Sequence, residues 1–177
     1  MNTIETKRLL LRNFVPEDAS ALFDYLHEPR VSCFLSLKLE DSAAAQREAS
    51  KRSQNEDNIA VCLKSTNELI GDLFATRGEE QDTFSVGWNF NARFEGAGLA
   101  TEAAHKLFDF LFSTKNARRL YAYAEEDNIA SQRVCEKLGM RHEGTFKEYV
   151  SFEKDSDGSP IFVDTRQYAI LSKEWRS

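Results

Sequence analysis

At 177 residues with 41% hydrophobic content, the chain has the length of one domain with a substantial core, and residues 1–177 read as such a unit. A formal net charge of −6 gives no basic footprint for nucleic acid, and no apolar run approaches the length of a membrane span. Three cysteines, odd in number and not closely paired, together with an amino terminus lacking the basic-then-apolar order of a signal peptide, point to the cytoplasm.

In chain order, Leu9 to Arg12 reads as a first strand, and Pro16-Glu17-Asp18 opens a helix with Ala19, Leu22, Phe23 and Leu26 on its apolar face. Glu28-Pro29 ends it. A polar, alanine-rich stretch from Ser42 to Asn55 reads as a second helix with a weak apolar stripe, expected to lie loosely on the surface. Ile59 to Leu63 and Leu69 to Thr76 are strand-like and joined by the turn composition Ser65-Thr66-Asn67-Glu68, so they are expected to form an antiparallel pair. Phe84 to Phe90 alternates as a half-buried strand. A long helix then carries Ala100, Ala103, Ala104, Leu107, Phe108, Leu111 and Phe112 at helical spacing. Leu120 to Ala124 is a further strand, Asn128 to Met140 a short helix with an N-cap and a terminal glycine, and Met140 to Val150 and Ile161 to Leu171 a pair around Asp155-Ser156-Asp157-Gly158. The whole predicts an α/β (α+β) fold, a mixed and mostly antiparallel twisted sheet of about seven strands flanked by about four helices.

The stretch from Arg93 to Thr101 lies between a strand and a strongly periodic helix. Gly96 and Gly98 allow a tight turn and close backbone approach, and the uncapped N–H groups of the next helix favour an anion, so this loop reads as a phosphate cradle. Leu99-Ala100 follows the second glycine where a P-loop needs lysine and a hydroxyl residue, which argues against a nucleoside triphosphatase. Thr101 stands where a dinucleotide fingerprint has its third glycine or alanine, leaving a Rossmann oxidoreductase as a weaker alternative.

Arg93-x-x-Gly96-x-Gly98 with Ala100-Thr101-Glu102-Ala103, followed by Asn128-x-x-Ser131-x-x-Val134-x-Glu136-Lys137-Leu138-Gly139, resembles the two signature motifs of the GNAT superfamily of acetyl-CoA-dependent N-acetyltransferases. The opening Thr6-Lys7-Arg8-Leu9-Leu10-Leu11-Arg12 and the closing segment from Asp164 to Trp175 are similar to its RimJ/RimL branch. This resemblance implies a single-domain GNAT fold with acetyl-CoA as cosubstrate. Its pyrophosphate would rest on Arg93, Glu95, Gly96, Ala97, Gly98, Leu99, Ala100 and Thr101, with Arg133 and Lys137 near the nucleotide phosphates. The pantetheine would run past Asn89 and Phe90 on one wall and past Asn128 and Ser131 on the other. Asn128 is also a plain N-cap by position, and Arg133 and Lys137 are also ordinary residues of an exposed helical face.

For catalysis, Asn128, Ser131 and Cys135 are the candidates. Cys135 occupies the place where many members of the superfamily carry a tyrosine that protonates the leaving thiolate, and a buried core thiol is the competing reading. Glu102, Glu148 and Asp164 are candidate bases that sequence does not separate from surface carboxylates. The scattered His27, His105 and His142 predict no metal. Expected partners are an amine, either a protein N-terminus such as that of a ribosomal protein or a small molecule, with neither nucleic acid nor membrane, the protein being a monomer or homodimer. A non-catalytic acetyl-CoA-binding sensor is the alternative from another class.

Overall fold

Alternating apolar residues place the strand-like runs in one mixed sheet, with helices covering both faces. The structure is a computed structural model that describes residues 2–29 and 31–176. The strands are β1 (Ile4–Glu5), β2 (Leu9–Asn13), β3 (Asn58–Leu63), β4 (Leu69–Arg77), β5 (Thr83–Phe90), β6 (Arg119–Glu125), β7 (Arg141–Lys154) and β8 (Pro160–Leu171). They form one eight-stranded sheet in the order β1-β2-β3-β4-β5-β6-β8-β7. Neighbours are antiparallel except β5 and β6, which run parallel. The helices are α1 (Ala19–Leu26), α2 (Ser42–Ser53), α3 (Leu99–Ser113) and α4 (Ile129–Lys137). One core packs α3 and α4 on the sheet through residues such as Leu73, Val86, Leu107, Phe108 and Leu120. On the other face α1 and α2 enclose Phe14, Leu22, Leu26, Ala60 and Cys62.

Three expectations change. The strand count rises because Ile4–Glu5 pairs with Leu10–Leu11, a two-residue contact too short to leave a periodic signal. Pro16–Asp18 is a 3-10 turn rather than the first turn of α1, stabilised by the Asp18 carboxylate, which accepts from Arg12 at 2.7 and 2.8 Å and from the Val15 N–H at 2.9 Å. α2 is firmly seated, with Ala45 and Ala49 1% and 0% exposed and Arg52 4% exposed. Small side chains leave a weak hydrophobic stripe yet allow close approach, and the arginine is buried with carboxylate partners.

The line between β5 and β6 matters most. Their register covers only Thr83↔Arg119, Phe84↔Leu120 and Ser85↔Tyr121. Beyond it β5 continues along β4 as far as Gly71↔Phe90, while β6 stays with β8 as far as Glu125↔Thr165. Each strand follows its antiparallel partner, so the two diverge, and from Val86 to Phe90 the β5 edge facing β6 has no strand partner among the described residues. Gly71 permits the divergence: a Cβ there would lie 2.5 Å from the Asn89 carbonyl oxygen and 2.9 Å from the Phe90 Cα. The missing side chain lets the end of β5 press against β4.

The amino-terminal segment is latched to α3. Glu102 Oε1 accepts from Thr6 Oγ1 at 2.6 Å and from the Arg8 N–H at 2.9 Å, while its Oε2 accepts from Arg8 Nε at 2.7 Å. Arg8 Nη1 donates to the Ala97 carbonyl at 3.0 Å, which ties the glycine loop to the same guanidinium. Burial pushes the Glu102 pKa up, but these donors outweigh it and hold the carboxyl below its usual value.

Gly71→Ala is expected to lower unfolding free energy by about 1–3 kcal/mol in urea melts, because backbone must move to admit the methyl. Glu102→Gln is expected to cost about 1–2 kcal/mol at pH 7, at the low end for bonds to a charged group since the Arg8 side chain is 43% exposed. A depressed carboxyl pKa contributes stability above its unfolded value and loses it as pH falls through the folded one. The difference between wild type and Glu102→Gln in urea melts should therefore shrink below about pH 4.

Candidate active site

Where β5 and β6 part, a cleft of about 400 Å³ opens, within the size range of ligand pockets. One wall is the free edge of β5, with Trp88, Asn89 and Phe90; the other is the start of α4, with Asn128, Ser131 and Val134. The floor runs into the glycine loop, where Glu95, Gly96, Gly98, Leu99, Ala100 and Thr101 line the same space. Gly96 and Gly98 have φ of +75° and +74°, the left-handed conformation that glycine adopts without strain. Gly98 is the N-cap of α3 and has no side chain to cap it, so the first N–H groups of a 15-residue helix are aimed at the cleft.

At α4 the Asn128 side-chain oxygen accepts from the Ser131 N–H at 3.1 Å, so Asn128 is an N-cap and a cleft residue together. The two readings of that position coexist. Arg133 and Lys137, one turn apart, line the same wall and bring positive charge to the cleft. The opposite mouth is acidic and aromatic, formed by Asp24, Tyr25, Glu28 and Phe34. Sequence patterning places none of these in the site, and Glu28 reads there only as a helix end with Pro29. The only trace was the i, i+4 spacing of Asp24 and Glu28 around a tyrosine that α1 buries.

Of the residues expected to hold a cosubstrate, Arg93 and Ala97 do not line the cleft. The Arg93 guanidinium pairs with Glu68 at 2.7 Å and lies over the Phe94 ring, 5.4 Å from its centroid. Ala97 contributes its carbonyl to Arg8. Cys135 is a correction of the same kind: it is 0% exposed, packed in the core under α3 and α4, and burial pushes its thiol up to about 12. A thiol so placed does not reach the cleft. The other carboxylates also have structural partners. Glu102 is the latch, and Asp164 accepts from Lys147 and the Glu148 N–H, which hold it below the ordinary aspartate range.

Among the described residues no group of three His, Cys, Asp or Glu side chains is placed to hold a metal, and no helix is long and apolar enough to cross a membrane. The features present suit a long, anionic, amide-bearing ligand: backbone donors and acceptors along an unpaired strand edge, a helix N-terminus on a left-handed glycine loop, and two cations beside it.

Comparison with known proteins agrees with that fit. An uncharacterized N-acetyltransferase of Bacillus subtilis (strain 168), YnaD, is 32% identical over 174 residues, covering 97% of this chain and 98% of the relative. An acetyltransferase (GNAT family) from Bacillus anthracis superposes with a TM-score of 0.86 at 28% identity, covering 97% of this chain and 99% of that one. The ribosomal-protein-S5-alanine acetyltransferase of Vibrio fischeri shares the fold over the full length of both chains, with a TM-score of 0.76 at 17% identity. Residues 8–141 match the family described as acetyltransferase (GNAT) domain. The family match over most of the chain and the near full-length relatives agree, so the chain belongs to the GNAT acetyltransferases and is an N-acetyltransferase.

Proposed function

We propose that the protein transfers the acetyl group of acetyl-CoA to a primary α-amine by direct attack on the thioester, as a member of a RimJ/RimL-like branch. The observation that carries this reading is the continuity of one cleft, from the α3 N-terminus through the β5–β6 divergence to the acidic mouth at Asp24 and Glu28. Backbone groups of β5 from Val86 to Phe90 orient the pantetheine amides and donate to the carbonyl oxygen as negative charge grows there. Arg133 and Lys137 neutralise phosphate. Asn128 and Ser131 close the opposite wall, and their role is positional.

The choice of amine follows from protonation. At pH 7 about a tenth of an α-amine is neutral, against well under a thousandth of a lysine side chain, so the α-amine asks less of the site. An acidic mouth on a protein of net charge −6 draws the abundant ammonium form to the entrance. The Vibrio fischeri neighbour is named for acetylating a ribosomal-protein alanine, which agrees with an N-terminal acceptor here. The same mouth favours a second reading, a small polycationic amine, because two carboxylates at i, i+4 match two ammonium groups.

Thermal unfolding with acetyl-CoA, CoA and NAD, followed by thiol release on adding amines, tests the proposal. Stabilisation by the two CoA ligands and not by NAD is expected, with release faster for an α-amino peptide than for its N-blocked lysine counterpart. Faster turnover of spermidine selects the second reading, and stabilisation without release on a broad amine panel selects a non-catalytic sensor. Arg133→Ala and Lys137→Ala should each weaken CoA binding about fivefold by calorimetry, about 1 kcal/mol per rim charge. Cys135→Ala should lower the melting temperature and leave kcat at the wild-type value.

A further inference from the structure

The acetyl-transfer reaction needs a group that removes a proton from the attacking nitrogen, and the cleft wall leads to one through a buried tyrosine. Tyr25 lines the cleft on α1 and is 7% exposed. Its hydroxyl donates to Asp72 Oδ1 at 2.7 Å. Asp72, 6% exposed on β4, is the register partner of Asn89 on β5, so the two side chains share a sheet face near the far end of the unpaired β5 edge. Behind Asp72, Arg52 of α2 brings Nη1 to 3.2 Å of the same oxygen and bonds Glu48 at 2.9 Å through Nε. A tyrosine, an aspartate and an arginine therefore run inward in contact from the acceptor side of the cleft, each at least nine-tenths buried.

We propose that Tyr25 and Asp72 form a proton relay in which the Tyr25 hydroxyl takes the proton of the acceptor amine while passing its own to Asp72. The proposal rests on the acetyltransferase reading above. The amine nitrogen bonds to the thioester carbonyl carbon, one N–H bond breaks toward Tyr25 Oη, and the Tyr25 O–H bond breaks toward Asp72 Oδ1. The C–S bond then breaks and CoA departs as thiolate. Asp72 returns its proton through Tyr25 to the cleft, where the thiolate or water takes it, so the net products are amide and thiol.

The surroundings suit a base of this kind. Burial raises the Asp72 pKa above an ordinary aspartate, and Arg52 and the Tyr25 hydroxyl act in the opposite direction by favouring the ionised form. The charged and titratable groups facing the pair are Arg52 and Glu48 from α2 and Asp18 from the turn before α1. Burial makes the Asp72 carboxylate a stronger base than it would be in water, while Arg52 favours its ionised form. Tyr25 both lines the cleft and fastens α1 to β4 through Asp72, so the network reaches the cleft wall as well as the sheet.

The test compares wild type, Tyr25→Phe and Asp72→Asn on α-amino peptides graded in amine pKa, with acetyl-CoA affinity by calorimetry and the Asp72 carboxyl followed by carbon-13 NMR in the free protein. Tyr25→Phe is expected to keep the fold and acetyl-CoA affinity while kcat falls about 100-fold, the deficit shrinking for less basic amines that lose their proton to water unaided. The Asp72 carboxyl signal should titrate above the ordinary aspartate range and move higher still in Tyr25→Phe, which has lost a donor to the ionised form. Should Asp72→Asn unfold, Tyr25→Phe alone decides. Wild-type kcat in Tyr25→Phe across the amine series overturns the relay and leaves the acetyltransferase reading standing. A wild-type protein that binds acetyl-CoA yet releases no thiol to any amine overturns both.

Discussion

The pairing of β5 with β6 over three residue pairs and no further is the constraint from which the rest of the site follows. A parallel pair carried to its full length would satisfy the β5 edge internally and leave no room between the strands. Because each strand has a long antiparallel partner, the sheet remains a continuous eight-stranded array while opening along one line. Backbone groups that a sheet would otherwise satisfy are thereby offered to a ligand. The helices are placed by the same divergence, since α3 and α4 enter from the end where the strands separate.

The cleft brings both signs of charge to one space. Arg133, Lys137 and a helix N-terminus stand on the wall with the glycine loop and its Glu95; Asp24 and Glu28 come from α1 and the turn after it; and Trp88, Phe90 and Val134 add apolar surface. Such a field orients a ligand that is anionic at its head and meets a cation at its reactive tip. The buried Arg52–Asp72–Tyr25 series lies at the acidic side, where it stiffens the α1–α2 layer and supports the wall that an acceptor would touch.

Much of this was legible in sequence because it rests on local signals. Strand alternation, the long apolar repeat of α3, the glycines before it and the Asn128 cap each depend on neighbours a few residues away. What sequence missed depends on distance. Asp72 and Tyr25 are 47 residues apart in the chain, and Glu102 is 94 from the arginine it holds. Arg93 matches the phosphate motif by spacing, yet Glu68 captures its guanidinium through tertiary contact. α2 looked weakly amphipathic because alanine contributes little hydrophobicity while permitting the closest packing.

The Glu102 latch also bears on the order of folding. Its three hydrogen bonds close a loop of more than ninety residues, so they form after the hairpins and helices, whose contacts span far shorter stretches. Thr6 already has a local partner, since its hydroxyl oxygen accepts from the Leu9 N–H at 2.8 Å, whereas its bond to Glu102 needs α3 in place. A contact of such long sequence separation is thus the one that ties the glycine loop to the chain just before β2.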